Sequence, residues 1–385
     1  MRTVPGLVLA VLALTLTACS GGSTQTTETS GATGAPPEST APPTSTQPDC
    51  NAGFLAQFTT RQKLAQLLTV GVNGTADAES IVRTEQIGGI FLGSWTDQTL
   101  LSDKQQIDRV KSAARTPLMV TIDEEGGRVS RLSNLIGSAP SARESAQTMS
   151  ADDYYRQSVG RGRAMHDLGI TVDFAPDVDV SSQPDDSVIG DRSFSDDPEV
   201  VTRYADAYIR AMRDAGLGAV IKHFPGHGSG SGDSHTGAVR TPPLDQLQQV
   251  DLVPFRNLVG SGAGVMVGHL DVPGLTTPDT PASISPQVMS LLRQGAGYGA
   301  APFDGPIFTD DLSGMAAITS RMGIEDAVAA ALEAGADNAL WINSDAVSTV
   351  LDHLEQEVQA GRLSIQRVDE SVLRMARYKG IPMHC

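Results

Sequence analysis

The sequence predicts an α/β chain closed into a single (β/α)8, TIM-type barrel. Two observations carry this: eight short apolar runs alternate with stretches of helical periodicity, and five of those runs end in polar, chemistry-bearing residues. A length of 385 residues accommodates one such barrel with appendages. Alternation of strand and helix implies parallel strands. A doubly wound sheet would show a glycine-rich phosphate loop after its first strand, and none follows the first run here.

The chain opens with Met1-Arg2, runs apolar from Val4 to Leu16 and reaches Leu16-Thr17-Ala18-Cys19. That is the charged start, apolar middle and small-residue cleavage site of a signal peptide over residues 1–18. The run is shorter than the roughly 18 residues a membrane span needs, and no later segment is long enough. A cysteine directly after Leu-Thr-Ala resembles the lipobox of bacterial lipoproteins. The resemblance implies that Cys19 is lipidated and becomes the mature N-terminus, which places the protein on the extracytoplasmic face of the cell membrane. Ordinary signal cleavage with an incidental thiol is the plainer alternative.

Of the 29 residues from Ser20 to Pro48, 22 are Ser, Thr, Pro or Gly, too little apolar surface to fold. Residues 19–49 therefore read as a lipidated cysteine followed by a disordered tether, and residues 50–385 as the barrel. Fully extended, at about 3.1 Å per residue, the tether would reach on the order of 90 Å.

The eight runs are Leu67–Val72, Gly89–Leu92, Leu118–Ile122, Val172–Ala175, Ala219–Ile221, Val265–Val267, Ile307–Thr309 and Ala339–Ile342. Between them lie amphipathic segments such as Asp152–Leu168, Pro198–Ala215 and Ile324–Ala334.

In such a barrel, catalytic groups come from the carboxyl ends of the strands. The third run is followed by Asp123-Glu124-Glu125-Gly126-Gly127-Arg128, the fourth by Pro176-Asp177, the fifth by Lys222-His223. The sixth is followed by Gly268-His269 and the seventh by Asp310-Asp311. Asp310 and Asp311 point to opposite faces, so one enters the mouth and the other binds backbone or solvent. A carboxylate there can attack an electrophilic sugar carbon, cap the next helix or join a metal site. Asp123, Arg131, Arg192, Lys222 and His223 supply donors and acceptors suited to clasping a polyhydroxylated ring, or pair as surface charges.

Lys222-His223-Phe224-Pro225-Gly226-His227-Gly228 runs into a loop, Ser229–Gly232, whose glycines suggest mobility, and then into Asp233-Ser234-His235. Asp233 can accept from one nitrogen of His235 and leave the other for proton transfer, an acid/base dyad. His223, His227, Asp233 and His235 also admit a metal reading. Pro225 and Gly226 preclude the helix that would align His223 with His227, so no metal or other cofactor is expected.

The chain carries 28 Lys and Arg against 45 Asp and Glu, a formal charge of −17 that repels phosphate backbones and argues against nucleic-acid binding. Cys19, Cys50 and Cys385 are too few for a disulfide scaffold and lack CxxC spacing. In an oxidising compartment Cys50 and Cys385 either join the two ends of the barrel or remain free thiols.

The stretches Asp123–Arg131, Gly190–Phe194, Lys222–His235 and Thr309–Met315 resemble the motifs of glycoside hydrolase family 3, over roughly Phe54–Lys379. K-H-F-P-G-H-G followed by D-S-H is similar to its β-N-acetylglucosaminidase branch, which uses a histidine in place of the usual carboxylic acid. The resemblance implies Asp310 as nucleophile, Asp233 and His235 as the acid/base dyad, and Asp123, Arg131, Arg192, Lys222 and His223 as contacts to an N-acetylglucosamine ring. It also implies a terminal β-linked N-acetylglucosamine on peptidoglycan fragments as substrate and no cofactor; a monomer is expected. Two departures stand out. Glu124 replaces the Gln of D-Q-E-G-G, and Ser229–Gly232 replaces a loop in which Asp-Thr is common. Competing readings are another β-glycosidase such as a β-glucosidase, a β-N-acetylglucosaminide phosphorylase, and a non-catalytic wall-binding lipoprotein.

Overall fold

The structure, a computed structural model, describes residues 50–382 apart from Asp279. The signal peptide, Cys19, the tether and Cys385 lie outside the described residues. Cys50 is disulfide-bonded, and Cys385, its expected partner, is among the residues not described.

All eight apolar runs become parallel strands: β1 Leu68–Gly71, β2 Gly89–Leu92, β3 Met119–Ile122, β4 Val172–Asp173, β5 Gly218–Phe224, β6 Gly264–Val267, β7 Ile307–Asp311 and β8 Asn338–Trp341. They pair in sequence order, and β8 returns to β1 through Leu68 opposite Ala339, which closes the barrel. The fourth run breaks off early. Pro176 brings no N–H to the ladder, and pairing resumes only at the isolated bridge of Asp177 with Lys222.

The strands are short and apolar because both faces are covered, outside by helices and inside by large rings. Phe174 stacks on Phe91 at 5.9 Å and meets Phe308 edge-on at 5.5 Å, filling the barrel interior. Each such buried ring contributes about 1.5–3 kcal/mol by leaving water.

The three expected helices form as Ala151–Asp167, Pro198–Asp214 and Ile324–Ala334. Their ends follow local chemistry: Ser150 accepts the Asp153 N–H, Asp197 accepts the Glu199 N–H ahead of a first-turn proline, and Gly335 ends the third at φ 127°. Among the described residues no helix is long and apolar enough to cross a membrane.

At the amino ends of the strands, the fully buried carboxylate of Asp337 meets Arg293, Arg367 and Arg374. It also accepts the N–H of Ile307, which opens β7, at 2.9 Å and the hydroxyl of Ser371 at 2.8 Å. This end of the barrel is held by charge; the other end carries the candidate site.

Candidate active site

A cavity of about 350 Å³ opens at the carboxyl ends of the strands. Its lining includes Trp95 after β2, Asp123 and Glu125 after β3, and Arg131 and Arg192 from longer loops. Lys222, His223, His227 and His235 come from β5 and its loop, and Asp310 and Asp311 from the end of β7. A second cavity, about 480 Å³, lies at the opposite end, and its lining holds no carboxylate and no histidine. Of these two, the first brings carboxylates and imidazoles together.

Asp310 is half-buried and opens on the cavity, its Oδ1 accepting the Asp311 N–H at 3.0 Å. Burial pushes its carboxyl up, but His223, His269, that N–H and Lys222 outweigh this and hold it below the usual carboxylate range. Asp311 turns to the backbone: its carboxylate accepts the Ser313 N–H at 2.8 Å, the Ser313 hydroxyl at 3.0 Å and the Gly314 N–H at 2.8 Å. The two successive carboxylates thus divide as alternation along the strand requires.

His235 Nδ1 lies 2.7 Å from Asp233 Oδ1, which also accepts the His235 backbone N–H at 2.9 Å. His235 lines the cavity with 60% of its side chain exposed, whereas Asp233 stands behind it and does not line the cavity. Between them Ser234 is buried, its hydroxyl 3.4 Å from the sulfur of Met315 and its carbonyl accepting the Ala317 N–H at 3.1 Å. The loop from β5 is therefore docked on the segment after β7.

The glycine-rich stretch before the dyad, read from composition as mobile, is tied at several points. Ser229 donates its N–H and hydroxyl to Asp251 at 3.1 and 2.9 Å, and Ser231 and Arg240 exchange backbone hydrogen bonds. Gln183 donates to the carbonyls of Gly228 and Gly230 at 3.1 and 3.2 Å.

Asp123, Lys222, Arg192 and His223 come together as one charged cluster. Lys222 Nζ lies 2.7 Å from Asp123 and 2.5 Å from Glu125. Arg192 grips Glu125 with Nε at 2.8 Å and Nη2 at 2.9 Å. His223 Nδ1 lies 2.7 Å from Asp179, which also accepts the His227 backbone N–H at 2.6 Å. Arg131 reaches the same cavity, with its Nε buried and unpartnered.

Glu125, Asp179 and the cavity-facing role of His227 escaped the sequence reading. The signal for the first two was present: Asp123 and Glu125, like Asp177 and Asp179, are two apart and so share a face of an extended strand end. The departure at Glu124 also finds its reason. That carboxylate is buried, accepts the Arg131 and Leu132 N–H groups at 2.6 and 2.8 Å, and pairs with Arg161 at 2.5 Å.

Asp177, Asp179 and His223 bring one ligand atom each within 4.8 Å of one another, the spacing a metal ion would need. The carboxylate of Asp179 is already engaged by the His223 ring and by the His227 N–H and so serves as a hydrogen-bonded support of His223, while Asp177 Oδ2 is buried without a hydrogen-bond partner.

In one cavity the chain sets a carboxylate held in its ionised form, an imidazole supported by a second carboxylate, and a cluster of charged hydrogen-bonding groups. Residues 59–378 match the family described as the glycosyl hydrolase family 3 N terminal domain. The chain is 54% identical over 377 residues, 97% of its length and 96% of the relative's, to beta-hexosaminidase LpqI of Mycobacterium tuberculosis. The solved structure of M. tuberculosis LpqI has a TM-score of 0.84 at 55% identity, covering 86% of this chain and 96% of that one. A glycoside hydrolase family 3 beta-N-acetylglucosaminidase from Paenibacillus sp. str. FPU-7 has a TM-score of 0.77 at 32% identity, covering 84% of this chain and 63% of that one. The chain belongs to glycosyl hydrolase family 3.

Proposed function

We propose that this glycoside hydrolase is an exo-acting, retaining β-N-acetylglucosaminidase that removes terminal β-linked N-acetylglucosamine from peptidoglycan fragments. The family and the identity to beta-hexosaminidase LpqI support β-N-acetylhexosaminidase activity. The single observation that carries the mechanism is the presence in one cavity of Asp310 and the Asp233-supported His235.

Asp310 attacks the anomeric carbon while His235 protonates the departing glycosidic oxygen, giving a glycosyl-enzyme ester. His235, now neutral, takes a proton from water, which attacks the same carbon and restores both the β configuration and the free carboxylate. Asp233 fixes the imidazole tautomer and stabilises the imidazolium that precedes the first step and follows the second. Glu125 holds Lys222 and Arg192 extended, so their remaining donors meet the sugar in place. No step calls for a metal or cofactor.

The test is hydrolysis of 4-nitrophenyl β-N-acetylglucosaminide and of the corresponding β-glucoside by the wild type, Asp310→Ala and His235→Ala, with and without phosphate. Cleavage of the acetamido substrate alone, lost in Asp310→Ala, supports the reading. Equal cleavage of the glucoside points to a broad β-glucosidase, and cleavage dependent on phosphate to a phosphorylase. No cleavage of either leaves a wall-binding role. Release of N-acetylglucosamine from a GlcNAc–MurNAc peptide tests the natural substrate.

The anchor at Cys19 is part of the same proposal: a lipid-tethered enzyme on the extracytoplasmic face works beside the wall. Incorporation of labelled palmitate in cells, abolished by Cys19→Ala, checks it.

A further inference from the structure

Most polar side chains in the cavity are already engaged by the protein. Lys222 and Arg192 are held by Glu125, His223 by Asp179 and His235 by Asp233. His227 differs. It lines the same cavity, only 5% of the residue is exposed, and neither Nδ1 nor Nε2 has a hydrogen-bond partner.

An unsatisfied buried polar group costs about 1–3 kcal/mol, so a ring with two such atoms at a cavity wall marks a place that a ligand completes. The ring is held there by its surroundings. Its backbone N–H is fixed by Asp179 at 2.6 Å, and the His223 ring packs edge-on at a centroid distance of 5.9 Å. The next residue, Gly228, lies so close to Val180 that an added Cβ would stand 2.1 Å from the Val180 carbonyl oxygen.

We infer that His227 recognises the 2-acetamido substituent of the sugar and is a specificity-determining residue for it. The inference rests on the reading of the chain as a β-N-acetylglucosaminidase. Position argues for it first. His227 lines the same cavity as His235, Arg192 and Lys222, with its backbone N–H on Asp179 and its ring against His223. It is carried by the loop that leads from the clasping residues Lys222 and His223 to the dyad, which meets the glycosidic oxygen on C1. C1 has two ring neighbours, C2 and the ring oxygen, and only C2 carries a substituent.

Chemistry argues for it second. Burial lowers the basicity of His227, so the ring stays neutral, with one N–H donor and one bare nitrogen acceptor. A secondary amide presents the complementary pair, one C=O and one N–H. The charged groups elsewhere in the cavity suit hydroxyls; the neutral imidazole suits the uncharged amide.

The experiment uses the full chain and measures binding of N-acetylglucosamine and of glucose by calorimetry, with hydrolysis of the two 4-nitrophenyl glycosides in parallel. His227→Phe keeps a ring and removes both hydrogen-bonding atoms; His227→Asn keeps one donor and one acceptor. The expected result is about tenfold or greater weakening for N-acetylglucosamine in His227→Phe, less than about threefold for glucose, and partial recovery in His227→Asn. Equal weakening of both sugars, or no change in their ratio, overturns the inference and leaves the proposed function intact. Should His227→Phe lose its circular-dichroism melt, His227→Asn against His227→Ala carries the same comparison. A wild type that neither binds nor cleaves the acetamido sugar instead overturns the proposed function, and this inference with it.

Discussion

His235 and Asp233 are joined twice through one atom: Asp233 Oδ1 takes the imidazole Nδ1 at 2.7 Å and the His235 backbone N–H at 2.9 Å. Desolvation works against the carboxylate, but these contacts prevail and hold Asp233 below its ordinary range. The ring and the chain that carries it are oriented together, and Nε2 is left for the substrate.

Loss of proton transfer should therefore depend on the leaving group. His235→Ala is expected to lower kcat by about 10²–10⁴ on a substrate whose departing alcohol needs a proton. With a 2,4-dinitrophenyl aglycone, which leaves unaided, the loss in the first step should shrink markedly. A Brønsted plot of kcat/KM against leaving-group pKa for both proteins checks this, and an equal loss across all aglycones would sink the assignment.

Asp310 should carry the sugar. A 5-fluoro N-acetylglucosaminyl fluoride is expected to leave a mass increment on the peptide containing Asp310, and none in Asp310→Ala. Since the surrounding positive charge holds Asp310 below the usual carboxylate range, it stays ionised in mild acid. Inactivation by this reagent, whose leaving group needs no acid, should stay flat from neutral pH to about pH 5, above the ordinary carboxylate range. A fall with a midpoint above about pH 5 would show that Asp310 is not held low.

The eight strands were legible because a strand covered on both faces must be apolar and short, and each run was bounded by glycine or polar residues. Asp310 was legible because it follows such a run. Glu125 was legible only in part. Its spacing of two from Asp123 sets both on one face of an extended segment, but the partners that fix their roles lie far away in sequence: Arg192 for Glu125 and Arg161 for Glu124. His227 was hidden differently, since an imidazole without a partner is visible only once its neighbours are placed.

Asp337 should matter to stability and not to chemistry. It lies before β8, at the end of the barrel away from the site, with three guanidiniums around a fully buried carboxylate. Asp337→Ala leaves Arg293 and Arg367 without their anion, leaves Arg374 only Asp304 and Glu370, and strips acceptors from the Ile307 N–H and the Ser371 hydroxyl, so a cost of about 3–5 kcal/mol is expected. Urea unfolding measures it, and kcat per folded molecule at low temperature should match the wild type. A large drop in kcat with an unchanged unfolding midpoint would contradict this division.

Glu125 joins stability to the site. Burial alone would raise its carboxyl, but Arg192 and Lys222 outweigh burial and hold it well below the usual carboxylate range. Its folded value is therefore lower than the unfolded one, near 4.3, so the unfolded chain binds the proton more readily. The stability this carboxylate contributes is fully present above about pH 4.3 and is lost as pH falls through the folded value. Glu125→Gln removes the charge and leaves Lys222 and Arg192 facing a neutral amide, at an expected cost of about 3–5 kcal/mol near pH 7. The two proteins should differ most at neutral pH, and the gap should begin to narrow below about pH 4.3, where the unfolded chain takes up the proton while the folded carboxylate is still ionised. Thermal melts of both from pH 3 to pH 8 measure the gap. A gap that stays constant across that range would mean that Glu125 acts through its shape and not through its charge.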